Sequence, residues 1–195
     1  EIASCLVGSE MCIRDSINSY DYAIIAVGAH NMEMPIPHDN SNIVSSWDVL
    51  NGQEVTGDCV VIGGGLVGAE TAEYLANKGH QVTIVEMMDK IAAGESTTVL
   101  PLMMKDFADH NVKQLVNTKV DHIENNIVYT ANEQIKADTI INALGSKKNI
   151  FDDSSITIPH VCVGDCSGER TADIASAIRT AYHLSLIHIS EPTRQ

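Results

Sequence analysis

Eleven residues, Val60 to Glu70 (VVIGGGLVGAE), limit what this chain can fold into more than any other feature. An apolar run, Asp58 to Ile62, reads as a buried strand, and it leads directly into Gly63, Gly65 and Gly68 in the pattern G-x-G-x-x-G. Leu66 to Lys78 then carries Leu66, Ala69, Ala72 and Leu75 at overlapping helical positions, and Gly79 ends it. Gln81 to Glu86 (QVTIVE) is a second buried strand. Strand, helix and strand at this spacing predict a right-handed parallel crossover, and so an α/β fold.

The glycines divide the work of such a turn. Gly63 permits the tight reversal, Gly65 lets backbone approach a pyrophosphate, and Gly68 allows close packing of helix on strand. Gly64, Leu66 and Val67 complete the loop and first turn, whose unpaired N–H groups face a phosphate with the positive end of the helix dipole behind them. Glu86 stands 18 residues after Gly68, where its carboxylate can accept hydrogen bonds from the hydroxyls of an adenosine ribose. The competing account is a purely structural glycine turn, but strand, helix, second strand and terminal acid together favour dinucleotide binding. A 2′-phosphate would meet the charge of Glu86, and no Arg follows in Met87-Met88-Asp89. NADH or the ADP half of FAD is therefore expected over NADPH, with Lys90 as a partial counterweight.

Charge sharpens this expectation. With 12 basic and 26 acidic residues the net charge is −14, a field that repels nucleic acid and anionic membranes. An anionic cofactor must then be held by local N–H groups rather than by a basic patch. An apolar content of 44% supports a packed core, no apolar run approaches the roughly 20 residues of a membrane span, and no signal-peptide pattern opens the chain; a cytoplasmic location is the default expectation. Cys5, Cys12, Cys59, Cys162 and Cys166 form no Cys-x-x-Cys pair or zinc-ligand cluster, so no metal site is expected. Cys162 and Cys166, four apart around Gly164-Asp165, read most simply as small buried apolar residues.

Elsewhere, Tyr22 to Val27 is a short buried strand, residues 31–44 a loop, and Ser46 to Leu50 a short helix. A helix near Ser96 to His110 is started or interrupted by Pro101. The stretches 112–116, 120–124, 127–130 and 134–137 predict an antiparallel meander with Asn125-Asn126 as one turn. Thr139 to Leu144 and His160 to Gly164 return to buried-strand character, and the last helix is expected from Thr171 to His183. The segments from Asp21 to Gly28 and from Asp138 to Gly145 share the pattern D-x-x-I-x-A-x-G, an echo suggesting two related halves. Residues 4–16 and 184–195 show no sustained period and resemble translated sequencing-adapter read-through; 1–16 and 185–195 are set aside from functional reasoning.

The ordered set AIIAVGA, VVIGGGLVGAE, VTIVE, TIINALGS and VCVGDCSGERTADIASAIRTAYHL resembles the C-terminal half of the NADH:flavin oxidoreductases that include 2,4-dienoyl-CoA reductase and trimethylamine dehydrogenase, over roughly residues 18–184. The resemblance implies a Rossmann-like NAD(H)-binding domain with a parallel sheet and an antiparallel meander (57–138). It would be inserted into an incomplete FAD-binding domain made of 17–56 and a return segment at 139–184. It implies that Gly28 and Gly145 mark the crossings between the two, and that Gly164 and Asp165 lie near the FAD ribitol or pyrophosphate with the last helix aimed at the flavin. On the residues alone, a turn or helix-cap acid is the preferred reading of Asp165. Glu70 would sit near the nicotinamide, or else is simply an acid in a helix's first turns.

The same resemblance implies a preceding barrel that binds FMN, an iron–sulfur cluster and a first FAD fingerprint. None of these is found in the sequence, so the chain is expected to be a catalytically incompetent fragment whose partner is that barrel. Two other readings stay open: a nucleotide module that holds ADP without reaction, and part of a pyridine nucleotide-disulfide reductase. A methyltransferase also uses a glycine-rich loop followed by an acid, but the G-x-x-G-A-E continuation and the Gly-Asp segment disfavour it.

Overall fold

The computed structural model describes residues 16–94, 98–168 and 174–190. In chain order the strands and helices are β1 Ala23–Ile25, β2 Ala29–Asn31, β3 Ile43–Ser45, α1 Ser46–Leu50, β4 Cys59–Ile62, α2 Leu66–Asn77, β5 Val82–Val85, α3 Leu100–Asp109, β6 Lys113–Leu115, β7 Val120–Glu124, β8 Ile127–Thr130, β9 Gln134–Lys136, β10 Thr139–Asn142, β11 Ser146–Lys148, β12 His160–Cys162 and α4 Ile174–Ser190, with a short 3-10 helix at Gly164–Ser167. They group into two compact units: one formed by 1–30 with 146–195, the other by 31–145.

The second unit is built on a parallel sheet in the order β3-β10-β4-β5-β6. Its central strands are buried on both faces, which is why they read as unbroken apolar runs. Alternation along each strand still sorts the side chains into two cores. Cys59, Val61, Val82, Ile84 and Ile141 face Ala69, Ala72 and Leu75 of α2 and Met103 and Phe107 of α3. Val60, Ile62, Val85 and Ile140 face Val120, Ile123, Val128 and Ile135 of the antiparallel sheet β7-β8-β9. The unit therefore has three layers: helices, parallel sheet and meander.

Local chemistry explains the element ends. The hydroxyl of Ser45 accepts the Asp48 N–H and caps α1, Pro101 occupies the first turn of α3 where its missing N–H costs nothing, and Asn125 and Asn126 both adopt positive φ, at 54° and 58°, to close the β7–β8 hairpin.

Several expectations are corrected. Residues 113–115 do not join the meander: β6 pairs in parallel with β5, because the open edge of the main sheet is completed there. Residues 139–142, placed by the sequence beyond a nucleotide domain ending at 138, form β10 between β3 and β4 in that domain's own sheet. The supposed loop 31–44 contributes the end of β2 and the start of β3. The last helix continues to Ser190, so residues 184–190, which show no period in the sequence, are helical. The expected starts of two helices, at Ser96 and Thr171, and the segments 4–15 and 191–195 lie outside the described residues.

In the first unit β1 and β12 pair in parallel, with Ile25 opposite Cys162. The echo between Asp21–Gly28 and Asp138–Gly145 is thus a strand in each unit, each leaving through a glycine of positive φ. Among the described residues no helix is long and apolar enough to cross a membrane.

Candidate dinucleotide site

Two of the loop glycines are fixed by crowding. Gly63 has φ +103°, and a Cβ there would strike the Ala143 carbonyl at the end of β10; a Cβ on Gly68 would strike the carbonyl of Gly63. Gly64 is closed in by Ile91 and by the stem of Glu86. Gly65 differs: it is the N-cap of the 12-residue helix α2, it is exposed, and a Cβ there would meet no protein atom within 4 Å. No side chain caps the helix, so its first-turn N–H groups face that open side.

Glu86 is held against this loop. One carboxylate oxygen accepts the Gly64 N–H at 2.5 Å and the other accepts the Met88 N–H at 2.7 Å. The Gly64 carbonyl in turn accepts the Ala92 N–H at 2.7 Å, which ties the loop to the segment after β5. A carboxylate offers about four lone-pair sites, so two remain for a ribose.

Beside Glu86 a cleft of about 230 Å³ is lined by Ile62, Gly63, Val85, Met87, Thr118, Lys119 and Leu144, among others. These positions lie at or just past the carboxyl ends of β4, β5, β6 and β10. There β4 is flanked on one side by the strand that follows it and on the other by a strand from much later in the chain, the usual place for a ligand in an open α/β sheet. The volume falls below the roughly 300 Å³ at which whole-ligand pockets begin, so the cleft suits one end of a dinucleotide.

The structure therefore gathers Gly63, Gly64, Gly65, Leu66, Val67, Gly68 and Glu86 at one sheet end. Glu70 is exposed on α2 and does not line the cleft. Gly145 closes the second unit, whereas Gly28, Gly164 and Asp165 belong to the first. Thr118, Lys119 and Met87 were not singled out from sequence. They lie two to four residues beyond the ends of β5 and β6, and nothing local marks which strand ends converge.

Comparison with known proteins agrees with this architecture. The chain is 43% identical over 171 residues to the bilirubin reductase of Mediterraneibacter gnavus, covering 83% of this chain and 26% of that protein. It is 28% identical over 141 residues to the dihydrolipoyl dehydrogenase of Bacillus subtilis, covering 69% of this chain and 31% of the relative. The chain thus spans about a quarter to a third of these relatives' length. Among solved structures, a 2-naphthoyl-CoA reductase superposes with a TM-score of 0.76 at 26% identity, over 87% of this chain and 27% of the other. The HOCl-induced flavoprotein disulfide reductase of Escherichia coli shares the fold, with a TM-score of 0.70 at 21% identity over 88% of this chain and 46% of the other. Residues 8–161 match the family of pyridine nucleotide-disulphide oxidoreductases, and with its glycine loop, parallel sheet and Glu86 this chain belongs to that family.

Proposed function

We propose that the chain binds NADH on the Gly63–Glu86 loop and the adjoining cleft, and presents it to FAD held in part by the first unit, as part of a flavoprotein oxidoreductase. The observation that carries this reading is the contrast among the loop glycines: Gly63, Gly64 and Gly68 are sealed by protein, while Gly65 leaves open space at a helix N-terminus. That opening fits a pyrophosphate, whose oxygens would accept N–H groups from Gly65, Leu66 and Val67. Glu86 retains acceptor capacity for the adenosine ribose and opposes a 2′-phosphate, which favours NADH over NADPH.

When bound, the two cofactors supply the hydride chemistry, and the polypeptide supplies position and electrostatics. Gly28, Gly145, Gly164 and Asp165 are assigned to the FAD side. Asp165 lies in the first turn of the 3-10 helix, and the N-terminus of the following helix α4 would stabilise charge developing on the flavin. Glu70 is assigned to the nicotinamide end. The domain roles are drawn on the two units: 31–145, whose sheet takes in β3 and β10 as well as the expected 57–138, as the nucleotide domain, and 17–30 with the segment after Gly145, rather than 17–56, as parts of the FAD domain.

The 43% identity to a bilirubin reductase and the likeness to a naphthoyl-CoA reductase favour the NADH:flavin group of 2,4-dienoyl-CoA reductase over the disulfide reductases. On that reading FMN and an iron–sulfur centre would belong to another segment of the working enzyme.

Calorimetric titration with NADH, NADPH and ADP tests the proposal. NADH binding at least tenfold tighter than NADPH, and tighter than ADP, is expected. Equal affinity for NADH and ADP would make this a site that holds a nucleotide without presenting its nicotinamide, and tighter NADPH binding would overturn the role given to Glu86.

A further inference from the structure

The function proposed above leaves one charge in the site without a role. Along the carboxyl edge of the sheet the groups stand in the order of their strands: the Gly63–Gly65 turn after β4, Glu86 after β5, and the turn 116–119 after β6. That last turn is fixed against Glu86. The Thr118 N–H donates to the Glu86 carbonyl at 2.9 Å and the Asn117 N–H to the Met88 carbonyl at 2.8 Å. Asn117 bends the chain at φ 50°, and the Thr118 hydroxyl donates to the Val116 carbonyl at 2.9 Å. Val120, directly after, is buried in the core between sheet and meander. Lys119 is thus held between two fixed neighbours, and it lines the same cleft as Glu86. Among the described residues it is the one cation lining that cleft, and no carboxylate pairs with its ammonium. Lys90, the base that the sequence offered as a counterweight to Glu86, is exposed and does not line the cleft.

These places decide which part of a dinucleotide Lys119 meets. A pyrophosphate at the N-terminus of α2 and a ribose on Glu86 run along the edge from β4 to β5. The next group in that direction, after β6, stands on the far side of the ribose from the pyrophosphate. NADPH differs from NADH by a phosphate on the 2′ oxygen of that ribose. We propose that Lys119 is a specificity-determining residue, whose ammonium pairs with a 2′-phosphate and offsets its repulsion by Glu86, so that the site admits NADPH as a weaker second ligand. The inference rests on NADH binding at this loop. Glu86 is tied to the Gly64 and Met88 N–H groups and keeps its place whichever nucleotide enters, so the degree of discrimination is set by Lys119.

A phosphate monoester carries a charge of about −1.5 to −2 at neutral pH, and an exposed ion pair changes affinity by up to about fivefold. The other use of a lysine here is its stem, which can cover the apolar wall made by Ile36, Val85 and Val120. Methionine keeps such a stem and removes the charge, so Lys119→Met separates the two uses.

The test is calorimetric titration of the full chain, and of its Lys119→Met, Lys119→Gln and Lys119→Arg variants, with NADH and NADPH at low ionic strength. In the two neutral variants the NADPH dissociation constant should rise at least about threefold more than that of NADH, and Lys119→Arg should keep the parent ratio. Lys119→Gln keeps the test open if the methionine variant fails to fold. A change in the ratio of less than about threefold in the neutral variants, or an equal change in Lys90→Gln, would overturn the role of Lys119 while NADH binding stands. Absence of NADH binding by the folded parent chain would overturn the proposed function, and this inference with it.

Discussion

Replacing Gly65 and Gly68 separately by alanine should divide binding from folding. At Gly65 the backbone is ordinary, with φ −64°, and the new methyl meets no protein atom. Alanine is a poorer N-cap than glycine by about 0.5–1 kcal/mol, while the stiffer unfolded chain returns about 0.4–1 kcal/mol. The two nearly cancel, and for a chain of this size the melting temperature should move by no more than about 2 °C. At Gly68 the same methyl drives into the Gly63 carbonyl and crowds the Ala143 methyl; a backbone carbonyl and a Cβ with no rotatable bond leave nothing flexible to give way. A loss of at least about 3 kcal/mol is expected, at the top of the range for overpacking, or roughly 6–12 °C. Binding should divide the other way. The Gly65→Ala methyl stands where a phosphate must approach, so NADH affinity should fall at least about tenfold, near 1.4 kcal/mol, in a protein that still folds. Thermal melts followed by circular dichroism and calorimetric titration provide both numbers. Undiminished NADH binding by folded Gly65→Ala, or a melting temperature for Gly68→Ala within about 2 °C of the parent, would refute the reasoning.

Further outcomes follow from other sites. Glu86→Gln removes the charge while keeping one oxygen acceptor for the Gly64 or Met88 N–H, so the preference for NADH over NADPH should shrink, as read from paired titrations. The carbonyl of Ile158 and then the Asp153 carboxylate raise the His160 pKa above 6.5. The stabilisation from this pair is accordingly full below about pH 6.5 and is lost as pH rises through the raised value; an NMR titration of His160 should show the rise, and Asp153→Asn should reduce it. Cys59 is 1% exposed, and burial, then Asp58 and Asp138, push its thiol to about 11, so it should resist alkylation until the protein unfolds. Asn125→Val, forced into the left-handed region at φ 54°, should cost about 1–2 kcal/mol by chemical denaturation, whereas Asn125→Gly should be neutral or slightly stabilising.

The β4-α2-β5 crossover was legible from the residues alone, to within a residue or so at each end, because everything that specifies it is local. Unbroken apolar strands, a 3.6-residue stripe, glycines at a strand exit and a glycine after the helix each act within a few positions. The same holds for α1 and for the Asn125-Asn126 turn, whose side chains and backbone preferences act at short range.

Strand partnership is another matter. Lys113–Leu115 and Thr139–Asn142 were seen as strands, but their places beside β5 and beside β4 depend on which apolar faces remain uncovered once the whole sheet assembles, and a three- or four-residue run carries no mark of its neighbour. The cleft follows from those pairings. Thr118 and Lys119 come to stand near Glu86 only because β6 lies next to β5, and Leu144 because β10 lies next to β4. The Cys166 thiol likewise reaches the Ile25 carbonyl only because β1 lies in register with β12. The sequence by itself determined the nucleotide-binding turn, since its chemistry lies in consecutive residues; the tertiary structure alone decided what surrounds that turn, since burial of separated segments against one another is settled only when all are present.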